Sequence, residues 1–175
     1  MQKKKTEYLV KSALIAGVYA VLTLSLGAIS FGNLGIEFRI SEALTILPVF
    51  TPLAVPGLFV GCIISNLIGM AFSTLGIIDV IYGSLATLIA AVVSRLCRNI
   101  TIKGFPIISF ISPIIFNAVI IGLELGIILP DIFTSISYAT LIVGIGEAIS
   151  VFGLGIPLYY SINKIPFLKK HLSNN

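Results

Sequence analysis

A small set of strongly polar side chains interrupts an otherwise apolar sequence, and these are the residues that could do chemistry. They are Arg39, Glu42, Asn66, Asp79, Asn117, Glu124 and Glu147. Four of them are carboxylates and only one is a cation. Ionised carboxylates accept hydrogen bonds and cannot donate them. The set therefore favours a cationic ligand, or one rich in N–H donors such as a guanine-like edge, and disfavours an anionic substrate.

The composition predicts the elements that must position these residues. Of the 175 residues, 57% are hydrophobic and 10% are charged, and the mean hydropathy is +1.11. Soluble domains average about 25% charged residues, so a water-soluble globule is nearly excluded. The apolar runs are continuous and lack the alternating polarity of a transmembrane barrel. We therefore expect an all-α integral membrane protein.

Six apolar segments are present, and all but the second reach or approach the length of about 20 residues that a membrane-spanning helix needs. We predict helices at residues 7–29, 39–50, 55–72, 78–96, 105–129 and 138–162, within a single membrane domain of residues 1–175. The second segment is short and is followed closely by a turn at Thr51 and Pro52, so we expect it to run obliquely. Arg39 and Glu42 lie three residues apart at its start and share a face if it is helical.

Basic residues flank these segments in three clusters. The clusters are Lys3, Lys4, Lys5 and Lys11, then Arg95, Arg98 and Lys103, and finally Lys164, Lys169 and Lys170. By the positive-inside rule each cluster marks a cytoplasmic end, so both termini are expected in the cytoplasm. The polar residues then fall in the outer half, which predicts a water-accessible cavity open to the outside. Nucleic-acid binding is not expected, because the lysines flank spans and form no stripe.

Most of the polar residues also have a structural interpretation. Glu42 and Asp79 each suit the first turn of a helix, where the helix dipole favours an acid. Glu124 could reach the membrane interface, and Asn117 could hydrogen-bond a neighbouring helix. Glu147 is the hardest to explain in this way, because it lies well inside its helix.

Small residues on the first helix predict a close contact with another helix. Ala16 and Ala20 are four residues apart, and Ala13 and Gly17 lie beside them. Such small-xxx-small patterns allow close approach in membranes. Two interpretations stay open, which are packing inside the chain and docking of a partner subunit.

The sequence shows no catalytic constellation and no cluster of metal ligands. The spans contain no Cys/His or Ser/His pairing, since His171, the only histidine, lies in the polar tail. An intramembrane enzyme is therefore the least favoured class.

Several motifs carry a resemblance to a known family. They are FRISEALT at 38–45, PGLFVGC at 56–62, DVIYGSLAT at 79–87, FNA at 116–118 and GIGE at 144–147. With these motifs, its size and its segment count, the chain resembles the substrate-binding (S) subunits of energy-coupling factor transporters. Within that group it is similar to the queuosine-precursor family, QueT.

The resemblance implies partners, a substrate class and a location in a prokaryotic-type cell membrane. The partners would be a membrane coupling subunit (EcfT) and two ATPases (EcfA and its paralogue), which use ATP and Mg²⁺. This chain has no Gly-rich phosphate loop, so no cofactor is expected in it. The family's first-helix contact falls on Ala16 and Ala20. The implied substrates are 7-deazaguanines such as preQ1 or queuine, and preQ1 is a cation with a guanine edge.

We accordingly expect Glu147 to accept the guanine-like edge, while Glu42 and Asp79 are candidates for the amine or for pocket structure. Arg39 is expected to position Glu42 or to hold the outer loop. Two alternatives remain, namely an S subunit for another small vitamin precursor, such as an aminopyrimidine, and a structural membrane subunit that transports nothing.

Overall fold

The described part of the chain is helical almost throughout. The structure, a computed structural model, describes residues 2–27, 38–71, 73, 75–167 and 172, with side chains from residue 5 onward. The elements are α1 (Gln2–Ser25), a 3-10 helix (Ile40–Val49), α2 (Ala54–Gly69), α3 (Ile77–Leu96), α4 (Ile107–Ile128), α5 (Ile136–Ser150), a π-helical segment (Val151–Gly155) and α6 (Ile156–Lys164). No strand forms among these residues beyond one isolated bridge between Ile102 and Phe105. The all-helical class is confirmed.

Some features that the sequence predicted lie outside the described residues. They are most of the segment between the first two predicted helices, at residues 30–38, the side chains of Lys3 and Lys4, and the tail residues Lys169, Lys170 and His171.

Four of the described helical runs are long and apolar enough to cross a membrane. They are Lys5–Ser25, Ile77–Leu96, Ile107–Ile128 and the continuous run Ile136–Lys164. Large apolar side chains such as Leu14, Ile81 and Leu141 remain exposed on their surfaces. Helices that are apolar on their outward faces suit a lipid environment. The two other apolar helices, the 3-10 helix and α2, are shorter.

The 3-10 helix lies at the centre of the bundle, where it contacts α1 to α5 and the π-helical segment. The sequence predicted a short helix here, and its 3-10 geometry is a finding of the structure. Pro48 lies inside it, and in an α-helix its ring would clash with the carbonyl group four residues earlier, which disfavours that geometry. A 3-10 helix rises about 2.0 Å per residue instead of about 1.5 Å. Its 10 residues therefore reach farther across the bundle than an α-helix would.

The π-helical segment interrupts the last long helical run where this run meets the 3-10 helix. A single helix was predicted at 138–162, and the observed run carries the π-helical segment at Val151–Gly155. Gly155 faces the 3-10 helix, because a Cβ atom placed on it would lie 3.0 Å from Ile46 Cγ2. Segments of this kind are frequent near functional sites.

α1 packs closely on α2. A Cβ atom on Gly61 would lie only 2.8 Å from the Ala16 carbonyl oxygen and 2.9 Å from Tyr19 Cβ. Ala16 and Ala20 are buried within the chain, at 3% and 6% exposure, whereas the neighbouring Ala13 and Gly17 are exposed. The small residues that the sequence proposed for docking therefore divide into a buried pair and a surface pair.

The close contact predicts that Gly61→Ala destabilises the protein by about 1–3 kcal/mol, because the added methyl group meets α1 backbone atoms that cannot move aside alone. The melting temperature of the purified protein in detergent measures this. Gly17→Ala is the control, since a Cβ atom there meets nothing within 4 Å and alanine favours the helix. Equal melting temperatures for the two variants would contradict the packing described.

Candidate functional site

A small cavity between the 3-10 helix, α3, α4 and α5 brings four of the predicted site residues together. The residues that line it are Arg39, Glu42, Gly83, Thr87, Asn117, Ile121 and Glu147. Its volume is about 10 Å³, which is close to the smallest space that holds one water molecule. Two carboxylates and one guanidinium thus face a common space.

Arg39 is held in place by α2 and α3. Its Nη2 atom lies 3.4 Å from Asp79 Oδ1, and its Nη1 atom donates a hydrogen bond to Asn66 Oδ1 at 3.1 Å. Asn66 in turn donates from Nδ2 to the backbone carbonyl of Asp79 at 3.0 Å. All three side chains are buried, at 6% exposure or less. Asp79 and Asn66, both predicted as site residues, lie behind Arg39 and do not line the cavity.

The ion pair with Asp79 was not evident from spacing, which pointed to Glu42 as the partner of Arg39. Asp79 lies 40 residues from Arg39 and occupies the first turn of α3. It therefore acts as an acid at a helix start and as the partner that holds Arg39, while it does not itself line the cavity. Together with Asp79 behind it, the cavity region holds three carboxyl groups and one guanidinium, so carboxyl groups outnumber the cation.

Glu42 accepts hydrogen bonds from two other helices. The hydroxyl group of Tyr19, on α1, donates to Glu42 Oε1, and Asn117 Nδ2, on α4, donates to Glu42 Oε2 at 3.3 Å. Tyr19 is completely buried and Glu42 is 1% exposed. Sequence reasoning missed Tyr19. A tyrosine among the small residues of a predicted span was the available signal, because its buried hydroxyl group needs a partner.

The two remaining carboxylates differ in their relation to the cavity. Glu147 lines it from α5, whereas Glu124, on α4, is buried at 3% exposure and is not among the lining residues. Asn117, which lies two turns earlier on the same helix, does line it. In the part of the chain that the structure describes, no group of three or more His, Cys, Asp or Glu residues could hold a metal ion.

Gly83 is a second residue that the sequence did not single out for the site. A Cβ atom on it would lie 2.6 Å from Asn66 Nδ2 and 3.3 Å from Asp79 Oδ1. Its missing side chain therefore provides the space in which Asn66, Asp79 and Arg39 meet. Thr87, one turn farther along α3, lines the cavity and donates a hydrogen bond to Cys62 Sγ at 3.4 Å.

We expect Gly83→Ala to destabilise the protein by about 1–3 kcal/mol, because the new methyl group must displace the Asn66 amide from its hydrogen bonds. Thermal unfolding in detergent is the measurement. Gly144→Ala serves as the control, since its Cβ atom would meet only Ala118 Cβ, at an ordinary 3.4 Å. A Gly83→Ala protein as stable as this control would show that the Asn66 contacts are not tight.

Comparison with known proteins identifies the family. The sequence matches the profile described as "QueT transporter" over residues 9–164. A relative from Lactococcus lactis subsp. cremoris (strain MG1363), named queuosine precursor transporter QueT, is 37% identical over 91 residues, which are 51% of this chain and 50% of that protein. The chain thus spans about half the length of the curated relative that it matches.

No solved structure matches the chain. The family profile covers most of the sequence, and the described helices include four long enough to span a membrane, as expected of a multi-pass protein of the cell membrane. The chain belongs to the QueT transporter family.

Proposed function

We propose that the protein is the substrate-binding subunit of an energy-coupling factor importer and that it captures a queuosine precursor of the 7-deazaguanine class. The observation that carries this proposal is the cavity in which Glu42 and Glu147 lie together with Asn117 and Arg39. The name of the Lactococcus relative, queuosine precursor transporter QueT, supports the same substrate class.

The donors of a 7-deazaguanine complement these carboxylates. Its guanine edge presents a ring N–H beside an exocyclic amine, and one carboxylate can accept both hydrogen bonds. In preQ1 an aminomethyl group adds a positive charge, which a second carboxylate would balance. We assign the guanine edge to Glu147 and the ammonium group to Glu42. Hydrogen bonds in which one partner is charged are stronger than hydrogen bonds between neutral groups.

Substrate binding requires the lining residues to move apart. The cavity measures about 10 Å³, whereas sites for small molecules usually measure about 300–1,000 Å³. The hydrogen bond from Asn117 to Glu42, at 3.3 Å, lies directly on the cavity and is long. We propose that substrate replaces Asn117 at Glu42 and that the Asn117 amide then binds the substrate. Asp79 and Asn66 keep Arg39 in place, and Glu124 lies outside the cavity.

The topology and partners follow from the same proposal. Six membrane segments with both termini in the cytoplasm would place the cavity in the outer half of the membrane, as the basic clusters predict. A coupling subunit (EcfT) would dock on α1 beside the exposed Ala13 and Gly17. The buried Ala16 and Ala20 would pack inside the chain, on the other side of this helix. ATP would be hydrolysed by two ATPases, EcfA and its paralogue, so this chain would need no cofactor.

Replacing one cavity carboxylate tests the proposal. Glu147→Gln keeps the shape of the side chain but removes its charge, so we expect the dissociation constant for preQ1 to rise roughly tenfold to a hundredfold. Isothermal titration calorimetry on the purified protein measures it. The control is Glu7→Gln, because Glu7 is exposed on α1 and pairs with Lys11 at 2.8 Å, away from the cavity.

Three outcomes would count against the proposal. Unchanged affinity in Glu147→Gln would remove this residue from the site. Stabilisation of the wild-type protein by an aminopyrimidine, but by neither preQ1 nor queuine, would indicate another substrate class. Binding of none of these compounds would favour a structural subunit.

A further inference from the structure

We infer that Tyr19 is a positioning residue for ligand binding, which holds one oxygen of Glu42 so that the other oxygen faces the cavity. The inference rests on the proposed function and deepens it, because Tyr19 itself does not line the cavity. It would act on the ligand only through Glu42.

The two oxygen atoms of Glu42 have different partners. Oε1 accepts from the Tyr19 hydroxyl group, which lies on α1 and is completely buried. Oε2 accepts from Asn117 at 3.3 Å, and Asn117 lines the cavity. A ligand that enters the cavity therefore meets the Asn117 side of the carboxylate and can exchange with that donor. The Tyr19 side stays out of reach, so Oε1 remains fixed while Oε2 changes partner.

The type of donor matters as much as its position. A phenol donates one hydrogen bond and brings no positive charge. Tyr19 can therefore orient Glu42 without placing another cation beside it. Asp79 shows the contrast, because its carboxylate lies against the guanidinium of Arg39 at 3.4 Å. A carboxylate held in the binding geometry before the ligand arrives loses less conformational freedom on binding.

A purely structural role for the Tyr19 hydroxyl group would duplicate a bond that already exists nearby. Thr23 lies one turn farther along α1, and its hydroxyl group donates to Ser41 Oγ at 2.7 Å. This bond also joins α1 to the 3-10 helix, and it is fully buried. Neither Thr23 nor Ser41 lines the cavity. The two bonds thus connect the same helices, but only the one from Tyr19 ends on a cavity residue.

This pair of bonds supplies a matched experiment. Tyr19→Phe and Thr23→Val each remove one hydroxyl group from the same interface and keep the shape of the side chain. The dissociation constant for preQ1, measured by isothermal titration calorimetry, should rise roughly tenfold in Tyr19→Phe. It should stay within about twofold of the wild-type value in Thr23→Val. Melting temperatures of both variants show that each is folded.

A double-mutant cycle with Glu42 separates positioning from a structural effect. If Tyr19 acts through Glu42, then adding Tyr19→Phe to Glu42→Ala should change preQ1 affinity by less than about twofold. The same penalty in both backgrounds, or equal penalties for Tyr19→Phe and Thr23→Val, would overturn the inference. Wild-type protein that binds neither preQ1 nor queuine would overturn the proposed function as well, so the two failures are distinguishable.

Discussion

The burial of the Arg39 charge is the constraint on which the rest of the site depends. Arg39 is 6% exposed, so its charge is almost completely removed from solvent and needs a partner. Removing one partner of such a pair typically costs about 3–5 kcal/mol. Asp79 supplies the opposite charge from α3, and Asn66 ties both residues to α2. This network fixes the start of the 3-10 helix and, with it, the position of Glu42.

α3 also contacts the other end of the 3-10 helix. Arg95 donates to the carbonyl oxygen of Pro48 at 3.0 Å and to that of Val49 at 3.4 Å. The central segment is thus joined to one long helix at both ends, through Asp79 and Arg95. Its 3-10 geometry suits this arrangement, because a 3-10 helix covers a given distance with fewer residues than an α-helix. The Arg39 side of the cavity is thus joined to both α2 and α3, whereas the 3.3 Å hydrogen bond from Asn117 to Glu42 is the contact that the proposed ligand would replace.

The sequence predicted what depends on composition and local spacing, and it missed what depends on contacts between distant segments. Hydropathy alone was enough to predict the helical class. The cost of burying charged groups in an apolar chain led us to predict that Glu42 and Glu147 share one polar site. The pairing of Arg39 with Asp79 could not be predicted, because it joins residues 40 positions apart through the packing of two helices. Tyr19 and Gly83 were missed for the same reason. Tyr19 contributes a hydroxyl group inside an apolar span, and Gly83 leaves space for its neighbours because it has no side chain.

The central claim is that Glu42 and Glu147 bind the two cationic or N–H-donating ends of one ligand. An experimental structure of the wild-type protein with preQ1 bound tests it most directly. The account predicts the guanine edge within hydrogen-bond distance of Glu147 and the aminomethyl group at Glu42 Oε2, with the Tyr19 hydroxyl group still on Oε1. A ligand bound elsewhere, or one that contacts neither carboxylate, would contradict the account.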